Sequence, residues 1–158
     1  MNVRHAEQED AKKIHNVALK SWKNAYSHIL SNNAIEEVIN EWYSIESLKE
    51  DIEHPSFFIA EKNSEIVGFV HATQKEGIAQ LHRIYVDPEY QRQGIGSSLY
   101  NKMESELPSK TEELHLEVLK QNKSGKQFYK KQGFQIATEE EIELKGETTK
   151  QLKMKKKI

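Results

Sequence analysis

The sequence predicts one α/β domain spanning residues 1–158. It is a mixed, mostly antiparallel sheet of about seven strands flanked by helices, in the order β-αα-βββ-α-β-α-ββ. Three observations carry this. An early run of short strands separated by turn residues implies an antiparallel meander. Later strands alternate with helices, as in βαβ units. No repeat or low-complexity linker divides the chain, and 158 residues suffice for a single core.

Val3–Ala6 is a short first strand. Ala11, Ile14, Ala18, Trp22 and Ala25 recur at helical spacing, with Asp10 near the start. Ser31-Asn32-Asn33 breaks that pattern and offers an N-cap to a second helix carrying Ile35, Val38, Ile39 and Trp42 on one face. After His54-Pro55, Phe57–Ala60, the turn Lys62–Glu65 and Ile66–Val70 form a hairpin. Glu76-Gly77 turns the chain into a third strand, Ile78–Val86, which Asp87-Pro88 ends. Gly94 to about Glu106 is helical, with Ile95, Leu99 and Met103 in line, and Pro108 stops it. Glu113–Val118 alternates as a strand with one buried face. Asn122–Lys131 is a short helix closed by Gly133, and Phe134 begins another strand. Glu139–Gly146 is an acidic loop or hairpin arm. In the last strand Leu152 and Met154 alternate with lysines, which reads as a charged edge strand.

Composition excludes several classes. With 25 acidic and 23 basic residues the net charge is -2, so nothing pulls the chain toward nucleic acid or an anionic membrane. No apolar run spans a bilayer, and the N-terminus lacks a signal-peptide core, which makes cytoplasmic the default reading. The absence of Cys removes disulfides, thiolate metal sites and cysteine nucleophiles. The seven His residues show no metal-ligand spacing, so no metal is expected.

Tyr85–Tyr100, "YVDPEYQRQGIGSSLY", runs from strand through a glycine turn into a helix. Such a turn suits phosphate: the first N–H groups of a helix have no intrahelical partner, and the macrodipole adds positive charge. Arg92 adds a full charge. The dinucleotide fingerprint is excluded because Leu99 stands where its third Gly belongs. A Walker loop lacks its Gly-Lys-Ser/Thr, and a hydrolase elbow would need Ser in place of Ile95.

Gln91-Arg92-Gln93-Gly94-Ile95-Gly96 matches the Gln/Arg-x-x-Gly-x-Gly/Ala signature of the GCN5-related N-acetyltransferase (GNAT) family. Leu81–Pro88 resembles the family's preceding strand. Asn122–Phe134 resembles its "N-x-x-A-x-x-F-Y-x-x-x-G-F", with Gly125 for the usual Ala. The resemblance runs end to end and implies the acyl-CoA N-acyltransferase fold. It also implies acetyl-CoA as cosubstrate and acetyl transfer to a primary amine, on a small molecule such as a polyamine or on a peptide; with no Cys and no base partner for Ser97 or Ser98, direct transfer is favoured over a covalent intermediate. It further implies that the backbone of Ile84, Tyr85 and Val86 pairs with the pantetheine arm. The turn formed by Gln91, Arg92, Gln93, Gly94, Ile95, Gly96, Ser97 and Ser98 takes the pyrophosphate, and Asn122 also contacts the cofactor. A splay between the ends of Leu81–Val86 and Leu114–Leu119 holds the thioester, whose oxygen meets the N–H of Val86 or a neighbour. Tyr129 matches the family's general acid.

The base is open. The strand before the turn carries no carboxylate, only Gln80 and His82. His82 is the candidate, with His71, Glu76 or a water chain as alternatives. Trp22 and Tyr26 line an acceptor cleft or are core aromatics. The run Glu139–Glu143 either draws in a cationic acceptor or is a solvated face. A homodimer is compatible with the resemblance. A non-catalytic acetyl-CoA sensor or scaffold of the same fold is the alternative function.

Overall fold

A computed structural model describes all residues from Met1 to Ile158. Seven strands form one sheet: β1 (Asn2–His5), β2 (Ser56–Lys62), β3 (Glu65–Lys75), β4 (Ile78–Val86), β5 (Glu113–Leu119), β6 (Gln135–Leu144) and β7 (Glu147–Lys157). Their spatial order is β1-β2-β3-β4-β5-β7-β6. Every neighbouring pair is antiparallel except β4 and β5. The helices are α1 (Ala11–Tyr26), α2 (Asn32–Trp42), α3 (Ile45–Ile52), α4 (Ile95–Ser105) and α5 (Lys123–Lys131).

The sheet separates two cores. Phe57, Ile59 and Phe69 meet α1, α2 and α3 on one face, while Phe58, Ala60 and Val70 meet α4 on the other. This explains why Phe57–Ala60 is a continuous apolar run rather than an alternating one: both faces of β2 are covered. Ser31 caps α2 by accepting from the Ala34 N–H, as the sequence suggests.

Two sequence expectations need correction. The region before His54 holds a third helix, α3, capped by the Ser44 hydroxyl on the Ser47 N–H. Its signal was present in Ser44 followed by Ile45, Leu48 and Ile52 at helical spacing. The lysine-bearing last strand is not an edge. β7 lies between β5 and β6, and the acidic strand β6 is the edge. Leu152 and Met154 enter the α4-side core, while Glu139 on β6 pairs with Lys120 and Lys150.

The β4–β5 ladder is short. It runs from Ile78↔Glu113 to Leu81↔Leu116 and stops, although both strands continue. Beyond it β4 keeps its partner β3 on one side and has a free edge on the other. A bulge opposite His71 and Ala72 coincides with the parting, leaving His82 as the extra residue. The sheet therefore opens between β4 and β5 where the sequence places the glycine turn.

Candidate functional site

A cleft of about 960 Å³ follows this opening. Its phosphate-sized end is the glycine turn. Gly94, at φ +79°, is the left-handed N-cap of α4, and Arg92 in the same turn is also left-handed at φ 63°; the conformation costs a residue with a Cβ about 1–2 kcal/mol. From Gln91 to Ser97 no backbone N–H donates to a protein acceptor; the first helical bond is Ser98 N–H to the Gly94 carbonyl. Arg92 lies at the cleft wall with no ion-pair partner. A row of free donors beside an unpaired guanidinium is an anion cradle. Gly96 serves packing as well: a Cβ there would stand 3.3 Å from the Phe128 ring.

Gln91, Arg92, Gly94, Ile95, Gly96 and Ser97 line the cleft, and so do Ile84, Tyr85, Val86, Asn122 and Tyr129. Gln93 and Ser98 do not. Gln93 accepts from Lys62, and Ser98 has used its N–H inside the helix.

The Asp87 N–H bonds to the Val67 carbonyl, so strand alternation turns the N–H and C=O of Val86 and Ile84 toward the open edge. The Val86 carbonyl takes the Ser21 hydroxyl at 3.2 Å and the Gln91 amide at 3.4 Å. Its N–H remains available to an oxygen in the cleft.

Tyr129 is half-buried between Phe128 and Phe134, with ring centroids at 5.5 and 5.9 Å. Burial, with Tyr26 and Tyr43 adding, pushes its phenol well above the ordinary value, so it carries its proton at neutral pH. That is the form a general acid requires.

Trp22 and Tyr26 line the cleft, yet they are only 4% and 5% exposed. Trp22 Nε1 donates to the Tyr85 hydroxyl at 3.0 Å, and Tyr85 and Tyr43 share a 2.9 Å bond. Tyr26 accepts from the Asn122 amide at 3.0 Å. The two aromatics are thus core residues whose inner edges form the wall.

His82 also lines the cleft. Its Nε2 shares a 2.6 Å bond with the Thr73 hydroxyl, and its ring stacks on His71 at 4.9 Å. Though His82 is exposed along one side, the protein packed against its ring and then Arg83 lower its pKa. His71 is 2% exposed and is pushed down to about 2, by burial and then by His82, Arg83 and His54. It lies behind the wall, and Glu76 sits on a distant turn; neither reaches the cleft.

His71 instead shapes acid stability. Below about pH 6.5 the unfolded chain takes a proton there that the folded chain refuses. The contribution is complete above that pH and is lost as pH falls toward 2. His71→Phe should therefore gain about 2 kcal/mol relative to the wild type between pH 7 and pH 5. Urea unfolding at both pH values measures it, and a pH-independent difference would refute it.

One cleft residue escaped the sequence reading. Glu117, on β5, is the sole carboxylate lining the cleft, and it accepts from the Gln151 amide. Strand alternation places it on the face opposite Leu116, but only the tertiary opening makes that face a wall. A second set was also unforeseen. Asp51, His54 and His71 bring ligand-type atoms within 4.8 Å of one another. Internal bonds already organise the set. Arg83 donates to Asp51 at 2.6 Å and lies 3.4 Å from His71 Nδ1, so that nitrogen must be the acceptor. His71 then carries its proton on Nε2 and donates it to His54 Nδ1 at 2.9 Å. A cation among these atoms would face Arg83 directly.

Comparison with known proteins agrees with the geometry. The model of the acetyltransferase (GNAT) family matches residues 12–134. The spermidine N(1)-acetyltransferase of Thermoplasma acidophilum is 34% identical over 143 residues, covering 86% of this chain and 89% of that protein. The thialysine N-epsilon-acetyltransferase of Bos taurus is 38% identical over 89 residues, covering 53% of this chain and 52% of that protein. The crystal structure of PaiA N-acetyltransferase from Thermoplasma acidophilum in complex with coenzyme A superposes with a TM-score of 0.84 at 30% identity. It covers 99% of this chain and 98% of that one. A ribosomal-protein-S18-alanine N-acetyltransferase from Escherichia coli shares the fold with a TM-score of 0.76 at 21% identity, covering 99% and 93%.

Proposed function

Because the chain belongs to the acetyltransferase (GNAT) family, we propose that the amine it acetylates is a small polyamine-type alkylamine, with Glu117 receiving the amine proton and Tyr129 protonating the departing thiolate. The chain is an acetyl-CoA-dependent N-acetyltransferase. The cradle and the free edge of β4 suit the two ends of the cofactor: pyrophosphate at Gln91–Ser97, and the extended amide arm along Ile84–Val86.

One observation carries the choice of acceptor, the balance of charge at the other end of the cleft. Arg83 is neutralised by Asp51 at 2.6 Å, and Glu117 is the cleft's one carboxylate, with no basic partner of its own. Trp22, Trp42, Tyr43 and Tyr85 line the same cleft, with Trp42 38% exposed. One carboxylate in an aromatic-lined cleft favours an organic cation over an anion. The spermidine acetyltransferase relative supports the same class.

Charge also ranks the bases. A proton landing on His82 would form an imidazolium beside the Arg83 guanidinium. A proton landing on Glu117 removes a charge and creates none. An amine of pKa roughly 10 is almost wholly protonated at pH 7, so the acceptor arrives as a cation and must lose a proton before attack.

Release of CoA thiol with an amine panel tests the reading. Linear di- and triamines should outpace lysine-type amino acids and peptide N-termini in kcat/KM. Preference for an acceptor bearing a carboxylate would refute the polyamine assignment. Glu117→Gln should lower kcat about a hundredfold and His82→Gln only a few-fold. The reverse ranking would transfer the role of base to His82.

A further inference from the structure

Gly125 stands where the family motif usually has Ala, and the structure shows that the difference is not small. A Cβ at Gly125 would lie 2.6 Å from Asn122 Nδ2 and 2.9 Å from Asn122 Cγ. The Asn122 side chain occupies that space because it has two tasks. Its Oδ1 caps α5, accepting from the Gly125 N–H at 3.0 Å and the Ser124 hydroxyl at 3.3 Å. Its Nδ2 reaches α1 and donates to the Tyr26 hydroxyl at 3.0 Å, across 96 residues of sequence.

An amide N–H only donates, so the Tyr26 oxygen accepts from Asn122 and keeps its own proton to give. That proton has no acceptor within the protein, and Tyr26 shares its cleft with Tyr129. Tyr129 needs such a neighbour. Burial raises its phenol above the ordinary value near 10, whereas an ordinary thiol lies near 8.5. Giving its proton to a thiolate is therefore uphill, and a hydrogen bond to the phenolate offsets the cost.

We infer that Tyr26 is a positioning residue for the acid step: the Asn122 amide holds its hydroxyl, which donates through one cleft water to the Tyr129 oxygen as that oxygen becomes negative, and Gly125 permits the arrangement. The inference rests on Tyr129 acting as the acid. In the step, the Tyr129 O–H bond breaks and its proton goes to the CoA sulfur. The electron pair stays on the Tyr129 oxygen. The nitrogen sheds two protons: one to Glu117 before attack, and a second, after the C–N bond has formed and the C–S bond has broken, which restores the Tyr129 phenol. Tyr26 stays protonated throughout; burial pushes its own pKa up to about 12, a rise the Asn122 bond partly offsets.

Steady-state kinetics on five variants tests this. Tyr26→Phe should lower kcat about tenfold while the KM for acetyl-CoA stays within about twofold. Gly125→Ala, which displaces Asn122, should show a similar loss, and the Tyr26→Phe/Gly125→Ala double variant should lose no more than either alone. In a Tyr129→Phe background, Tyr26→Phe should have no further effect, because no phenolate then forms. An unchanged kcat in Tyr26→Phe, or an equal loss with and without the Tyr129 hydroxyl, overturns the inference. A Tyr129→Phe enzyme with full kcat overturns the acid assignment itself, and this inference with it.

Discussion

Replacing Tyr129 with Phe should lower kcat by about 10²–10⁴-fold with little change in the KM for acetyl-CoA. The substitution is narrow. The ring contacts with Phe128 and Phe134 survive in Phe, and only the hydroxyl is lost. The native hydroxyl makes no hydrogen bond within the protein, so its removal leaves no buried partner unsatisfied and the melting temperature should hold. A thiolate leaving without a proton donor is a poorer leaving group, so the loss belongs in turnover. Thiol-release kinetics beside a calorimetric acetyl-CoA titration separates the two quantities. Equal losses of turnover and affinity would make Tyr129 a binding wall and not an acid.

Gly94→Val should weaken acetyl-CoA by about 5- to 150-fold, which corresponds to 1–3 kcal/mol of backbone strain. Nothing lies within 4 Å of a Cβ built on Gly94, so steric crowding is not the cause. The cost is conformational: at φ +79° a β-branched residue is strained. The exposed turn escapes that strain by relaxing in the free protein, and the unpaired N–H groups from Gln91 to Ser97 then no longer converge. Binding must restore the geometry, so the strain appears in the dissociation constant. Titration calorimetry measures it. Unchanged affinity would show that the cradle's shape does not depend on Gly94.

The parts of the fold set by neighbours in sequence were legible. Ser31 as a cap, Ile78–Val86 as a strand and Gly94 at the turn all follow from local rules, and each stands where the sequence puts it. The α3 helix had the same kind of signal but sat too close to α2 to be separated from it. Position within the sheet was not legible. Alternating Leu152 and Met154 show that β7 has a buried face, but no local pattern says which strands flank it. Glu117 was hidden for the same reason. Its alternation marks a polar face, and only the stopped β4–β5 ladder makes that face part of the cleft. The Asn122–Tyr26 bond joins positions 96 residues apart, so neither residue announces the other.

The insertion of β7 between β5 and β6 has a consequence for how the molecule assembles. β6 precedes β7 in the chain yet touches the sheet only through it. The acidic strand therefore cannot dock until the strand after it has closed on β5, and the two must add together as a hairpin. That hairpin carries Ile142, Leu144 and Gln151 into the cleft, and its tip reaches α2 through Glu147 on the Ser31 N–H and Lys145 on Glu41. Ladders of this span close slowly because distant segments must meet before either gains from it. The glycine turn and the β4 edge are built from segments close in sequence, whereas the wall formed by Ile142, Leu144 and Gln151 depends on this closure. A chain without the hairpin would keep the glycine turn and the β4 edge but lose one wall of the cleft.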